Sequence, residues 1–152
     1  MKILIIYYSG KHTKNTEKIA NIFKNEIDCD LLEFNEKLNQ QLISNYDIVG
    51  FGSGIYAGSF KRSFKKWIKK LPAISNKKCF VFSTAGSKMG EKVNKKIIDI
   101  LVNKNFTSLG QWSCLGRDVA FTFKKKTGGF LKDRPNQQDL ENAKQWIKSI
   151  IH

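Results

Sequence analysis

Lys2-Ile3-Leu4-Ile5-Ile6-Tyr7-Tyr8-Ser9-Gly10-Lys11-His12-Thr13-Lys14-Asn15-Thr16-Glu17-Lys18-Ile19-Ala20 changes character twice within one short stretch. Lys2–Tyr8 is a short apolar run rich in Ile and Tyr, the signature of a buried strand. Ser9-Gly10 ends it and opens a polar loop. From Asn15 the spacing becomes helical, with Ile19, Ile22, Phe23 and Ile27 on one face. Strand, polar loop, amphipathic helix: the same order then recurs along the chain.

Leu31–Phe34 is a second, weaker strand candidate, and Tyr46–Gly52 a third that ends in another glycine-containing loop. Phe60, Phe64, Trp67, Ile68 and Leu71 follow at i, i+4, i+7, i+8 and i+11, one apolar helical stripe that stops before Pro72. Lys61, Arg62, Lys65, Lys66, Lys69 and Lys70 occupy its other side. Cys79–Ser83 is a fourth strand, followed by a helix marked by Val93, Ile97, Ile100 and Leu101. Phe106–Cys114 supplies a fifth strand and leads into an irregular stretch, 115–134. Pro135-Asn136 opens a last helix, with Asn136 as cap and Asp139 in its first turn. Near-continuous apolar strands alternating with helices predict an α/β fold: a doubly wound, five-stranded parallel sheet covered on both faces. At 152 residues this is one domain, 1–152. Ligands of such sheets lie beyond the carboxyl ends of the strands, which directs attention to loops 9–16, 53–58 and 83–88.

The first loop, Ser9, Gly10, Lys11, His12, Thr13, Lys14, Asn15 and Thr16, offers hydroxyls, cations and backbone N–H groups at a helix N-terminus, a combination suited to phosphate. It is neither a Walker loop nor GxGxxG, which disfavours triphosphates and dinucleotides. The second, Ser53, Gly54, Ile55, Tyr56, Ala57 and Gly58, lets backbone approach a ligand and offers Tyr56 as a flat platform. Ser83, Thr84, Ala85 and Gly86 are small and polar, able to bond the edge of a ring. Taken singly, each loop reads equally as a helix cap or a tight turn. Taken together on consecutive strands they describe a site for a planar mononucleotide.

The chain resembles flavodoxins and flavodoxin-like FMN proteins over essentially its whole length. Ile5-Ile6-Tyr7-Tyr8-Ser9 through Asn15-Thr16-Glu17-Lys18-Ile19-Ala20, Tyr46 through Tyr56, Val81-Phe82-Ser83-Thr84, and Arg134-Pro135-Asn136 through Ala143 carry the resemblance. It implies strand order 2-1-3-4-5 and non-covalent FMN, with Ser9–Thr16 at the ribityl phosphate and residues 53–58 and 83–88 flanking the isoalloxazine. The first loop is two residues longer than is usual in the family, with His12 where a small residue is common. Lys11 and His12 therefore face either the phosphate or solvent.

Charge sets a second departure. The chain has 27 basic and 13 acidic residues, net +14, whereas electron-carrying flavodoxins are usually acidic. Residues 1–50 carry six basic and seven acidic side chains, so the excess lies in the remainder. It gathers on the 60–70 helix and on Arg117, Lys124, Lys125, Lys126, Lys132 and Arg134, interleaved with Phe121, Phe123 and Phe130. An anionic partner is expected: a redox protein, an anionic small molecule such as a porphyrin, or peripherally an anionic membrane surface. The Gly52–Gly58 loop, the Phe- and Lys-containing helix that follows it and the basic Lys124–Gly129 stretch are similar to those of flavodoxin-type protoporphyrinogen oxidases. That makes a tetrapyrrole oxidoreductase one alternative. From another class, a basic nucleic-acid binder or a non-flavin regulatory domain is the other, although no RNA-binding motif is present and no specific nucleic acid is expected.

Cys29, Cys79 and Cys114 are odd in number and far apart, with no CxxC, so reduced, mostly buried thiols are expected rather than a disulfide frame or zinc site. Lys2–Tyr8 is too short and β-branched for a signal peptide, and no apolar run approaches a membrane span. The cytoplasm is the expected compartment. No amino-acid nucleophile or triad is visible, so redox chemistry would belong to the cofactor, in an electron carrier or a small oxidoreductase.

Overall fold

The computed structural model describes residues 1–116 and 133–151. Along them run β1 (Ile3–Tyr8), α1 (Asn15–Glu26), β2 (Asp30–Glu33), a 3-10 helix (Gln40–Asn45), β3 (Ile48–Tyr56), β4 (Ser59–Phe60) and α2 (Arg62–Lys69). β5 (Lys77–Ala85), α3 (Gly90–Val102), β6 (Phe106–Leu115) and α4 (Gln137–Ile150) complete them. The sheet order is β2-β1-β3-β5-β6, all parallel, with the two-residue β4 folded back antiparallel on β3. Without β4 this is the expected five-stranded, doubly wound order. The chain steps from β1 outward to β2 and then across to β3 on the other side, so the order reverses at the carboxyl ends of β1 and β3. A ligand crevice belongs at that reversal.

Alternation along the strands sends side chains to two cores. Leu4, Ile6, Val49, Phe51, Cys79 and Val81 meet Phe64, Trp67 and Ile68 of α2 and Val93, Ile97 and Leu101 of α3. Ile3, Ile5, Tyr7, Ile48, Phe80 and Phe82 meet Ile19, Ala20 and Phe23 of α1 and Ala143 and Ile147 of α4. α4 opens as expected. The Asn136 side chain accepts the Asp139 N–H at 2.9 Å, and Asp139 accepts the Asn136 N–H at 2.8 Å. Arg134 grips both oxygens of the same carboxylate at 2.6 and 2.8 Å.

Two expectations need correction. Residues 53–58 are not simply a loop: β3 continues to Tyr56, turns through Ala57-Gly58 and pairs back. The glycines of β3 make room rather than break the strand. A Cβ on Gly50 would lie 2.3 Å from the Phe80 ring, and one on Gly52 2.1 Å from the Phe82 ring. The 60–71 stripe is likewise shorter as a helix, because Phe60 pairs with Ile55 and enters the core from β4. The basic, aromatic residues from Arg117 through Lys132, including the Lys124–Gly129 stretch similar to the protoporphyrinogen oxidases, lie outside the described residues.

Some of the lysine excess is structural. Lys24 Nζ donates to the Cys29 carbonyl at 2.9 Å, Lys77 Nζ to the Ser44 carbonyl at 2.9 Å, and Lys104 Nζ to the Leu71 carbonyl at 2.6 Å. α2 is different. Lys61, Lys65 and Lys69, and Arg62, Lys66 and Lys70, form two rows at i, i+4 spacing, with no acidic residue in the first turn. Each such like-charge pair costs about 0.2–0.5 kcal/mol. The helix is held by Phe64, Trp67 and Ile68, not by its surface.

Candidate functional site

β1 and β3 carry their loops to the same end of the sheet, and β5 brings a third alongside. Between them lies a cleft of about 550 Å³ lined by Gly10–Thr13, Asn15, Thr16, Gly54–Gly58, Thr84–Ser87 and Met89, within the usual size of a small-molecule site. Of the candidate set, Ser9, Ser53 and Ser83 lie buried behind this lining and the exposed Lys14 lies outside it, and three of the four are structural. Ser9 Oγ accepts the Glu17 N–H at 3.1 Å. Lys14 takes the left-handed backbone at φ 52 that turns the loop into α1. Ser53 Oγ donates to the Gly54 carbonyl at 2.6 Å and accepts the Lys61 N–H at 3.1 Å, joining β3 to the start of α2. Ser83 is fully buried, and its Oγ has no hydrogen-bond partner among the described residues. Ser87 and Met89 were missing from the candidate set. Ser87 belongs to the same polar loop and was within reach of the sequence argument; nothing in the sequence marks Met89.

The first loop is built to leave donors open. First-turn amides of a helix have no intrahelical acceptor. At α1 no side chain caps the N-cap position, and Ser9 takes up the Glu17 amide alone. The Thr16 amide, which has no hydrogen-bond partner among the described residues, remains at the positive end of the helix dipole, beside the exposed Lys11 and His12. Lys14 N–H donates to the Gly10 carbonyl at 3.1 Å, so residues 10–14 form a closed turn, of which Gly10–Thr13 line the cleft. Below it, the Thr16 and Thr84 hydroxyls bond at 2.8 Å, tying the first loop to β5.

Tyr56 forms the opposite wall. Its ring lies on Gly54, where a Cβ would fall 2.6 Å from the hydroxyl oxygen, and crosses toward Gly10. It meets Tyr8 edge-on at 5.8 Å between centroids. Part of the residue is open to solvent, 40% overall, while the hydroxyl is turned in against Gly10, 3.2 Å from where a Cβ there would lie. Burial and, after it, Tyr8 push the phenol up to about 12, so Tyr56 is neutral at physiological pH. The fit to a phosphorylated planar ligand is good: an open amide with cations on one wall, an aromatic face on the other, and small polar residues at Thr84–Ser87 between them.

The rim of the cleft is strained. Ala57 and Gly58 have φ of 50 and 76, both positive, as a two-residue type I′ hairpin requires. Gly58 is at ease there and Ala57 is not. Ala57→Gly is expected to stabilise the protein by about 0.5–1 kcal/mol, after the larger entropy of the unfolded glycine is set against the relieved strain. Urea unfolding checks this; a midpoint below that of the native protein contradicts the turn geometry.

A family model described as a flavodoxin domain matches residues 4–122. The chain belongs to that family. An uncharacterised protein of Methanocaldococcus jannaschii is 41% identical over 152 residues, covering 99% of both chains. Among solved structures, oxidised flavodoxin 1 from Bacillus cereus superposes with a TM-score of 0.74 at 14% identity, over 99% of this chain and 97% of that one. A flavodoxin from the domain Archaea gives 0.67 at 16%, over 99% and 96%. Rubredoxin oxygen:oxidoreductase from Desulfovibrio gigas gives 0.65 at 20%, with 98% of this chain matching 35% of that protein. At these identities the solved structures speak for the flavodoxin fold alone. Among the described residues there is no cluster of metal-ligating side chains, and no helix is long and apolar enough to cross a membrane.

Proposed function

We propose that this flavodoxin-domain protein binds FMN in the cleft and exchanges electrons with an anionic partner or substrate. One observation carries the reading: the uncapped N-terminus of α1 and the Tyr56 ring line a single cleft at the reversal point of the sheet. Thr13, Thr16 and the neighbouring amides would hold the phosphate, with Lys11 and His12 supplying positive charge. Tyr56 would cover one face of the flavin ring, and Thr84–Ser87 would bond its polar edge. Once bound, FMN supplies the redox chemistry. The chain's own work is to orient the ring, exclude water from one side and choose what approaches the other. Tyr56 does this as a neutral phenol, so it brings no charge of its own against the ring.

The cationic α2 beside the cleft supports an anionic partner over a basic one, by electrostatic complementarity. The test is a titration of the flavin-free protein with FMN and with riboflavin, followed by flavin fluorescence and the visible spectrum. Saturable FMN binding is expected, with riboflavin at least about tenfold weaker because it lacks the charge-assisted phosphate contacts. Failure to bind FMN overturns the assignment; equal affinity for both ligands overturns the phosphate role of the first loop.

A further inference from the structure

A second groove, of about 590 Å³, opens on the far side of Lys61 from the flavin cleft. Its floor is Phe34 and Trp67, both buried, and its walls carry Lys61, Arg62, Lys66 and Lys70 against one carboxylate, Glu36. None of the four cations has an ion-pair partner among the described residues. The walls are firm. Trp67 Nε1 donates to the Leu38 carbonyl at 2.9 Å, and Gln40 Nε2 donates to the Trp67 carbonyl at 2.7 Å. Arg62, Lys66 and Lys70 stand one helical turn apart, so their charges form a row rather than a point.

We propose that this groove docks an acidic segment of a protein partner, one that presents a row of carboxylates to Arg62, Lys66 and Lys70. Charge complementarity selects the partner's sign, and the row selects its form. A small anion would engage one cation or two, whereas carboxylates at i, i+4 and i+8 of a helix engage all three. The like-charge rows of α2, left unrelieved among the described residues, are relieved by such a partner. Position gives the docking its use. Lys61 Nζ lies 5.1 Å from the Tyr8 ring centroid, and the Tyr8 ring meets Tyr56 at 5.8 Å, so the groove adjoins the wall of the cleft. The partner's role as an electron-exchanging protein rests on the FMN reading; the docking itself does not.

The full-length protein is titrated against a fluorescein-labelled helical peptide carrying glutamates at i, i+4 and i+8, with binding read by anisotropy at low and high salt. Lys66→Glu is compared with Lys96→Glu, an equal change of net charge on the exposed face of α3. Lys66→Glu turns two repulsive i, i+4 contacts into attractive ones, so it is expected to fold, and circular dichroism verifies it. The expected result is salt-sensitive binding that Lys66→Glu weakens at least about tenfold and Lys96→Glu about twofold or less. Equal loss in the two variants overturns the proposal, since general charge then explains binding. Displacement of the peptide by a short DNA duplex or by phosphatidylserine vesicles, at concentrations where a second acidic peptide fails, also overturns it. FMN titration of the same samples keeps the two readings apart. Groove-dependent peptide binding without FMN binding upholds the docking site and removes the flavin.

Discussion

Gly52→Ala should destabilise the protein by about 3 kcal/mol, at the upper end of what overpacking usually costs. Gly52 sits in β3, with Tyr7 of β1 on one side and Phe82 of β5 on the other. The Phe82 ring lies across it so closely that a Cβ would sit 2.1 Å from one ring carbon and 2.4 Å from the next. The ring has nowhere to go. Phe82 is fully buried, held edge-on by Phe23 at 4.9 Å and stacked beside Phe80 at 6.4 Å. Interiors packed to crystal density do not absorb a displaced phenyl ring by small adjustments. The strand that would have to shift is the one that carries Ser53 through Tyr56 to the cleft, so site and core would be disturbed together. Urea unfolding measures the loss, and Gly52→Ala combined with Phe82→Leu should recover part of it by vacating the space. A single variant within about 0.5 kcal/mol of the native protein would contradict this packing.

Stability should fall steeply above pH 9. Cys79 and Cys114 have thiols pushed up to about 12, by burial in both cases; at Cys114 the Asp139 carboxylate adds to it and Arg134 partly offsets it. Tyr7 is raised to about 12 by burial and by Glu17 and Glu33, and Tyr56 similarly by burial and Tyr8. In the unfolded chain the thiols ionise near 9 and the phenols near 10. The folded values lie above the unfolded ones, so the native state holds these protons after the unfolded chain has released them. Their stabilisation is complete below about pH 9 and disappears as pH climbs toward 12. In that window each thiol removes about 1.4 kcal/mol per pH unit, and the phenols steepen the fall from about 10. Thermal melting between pH 7 and 11 should show a plateau and then a decline, shallower in Cys79→Ala. A melting temperature unchanged from pH 8 to 10.5 would contradict the burial of these groups.

The architecture was legible because it rests on periodicity. Ile3 to Tyr7, Val49 with Phe51, and Cys79 to Phe82 are buried on both faces, and such runs carry their own signature. The α4 start was legible as well, since Asn136 and Asp139 act locally on each other's backbone. Glycine is where local reading misled. In 53–58 it suggested a loop, although Gly54 is a strand residue whose missing side chain makes space for Tyr56, as that of Gly52 does for Phe82. That need comes from a neighbouring strand and from a residue two positions on, which no window around the glycine itself displays. The three loops could be located from the ends of the strands. Which of their residues turn toward the cleft could not, because Ser9, Lys14 and Ser53 look like ligands in sequence and serve the backbone in the structure. The groove beside α2 needed the fold too. Phe34 comes from the end of β2, and only the crossing of the sheet places it under the cations of α2.

The tryptophans divide unevenly between the two cores: Trp67 stands in the α2 layer, while Trp112 and Trp146 pair at 6.5 Å beside Phe23 in the α1 and α4 layer. The molecule therefore carries one tryptophan on one side of the sheet and a neighbouring pair on the other. Light emitted by Trp67 reports on the cationic groove whose floor it forms, and light from the pair reports on the opposite layer. Replacing Trp67 by Phe leaves the emission of the pair alone, so comparison of that variant with the native protein distinguishes an event at one face from an event at the other.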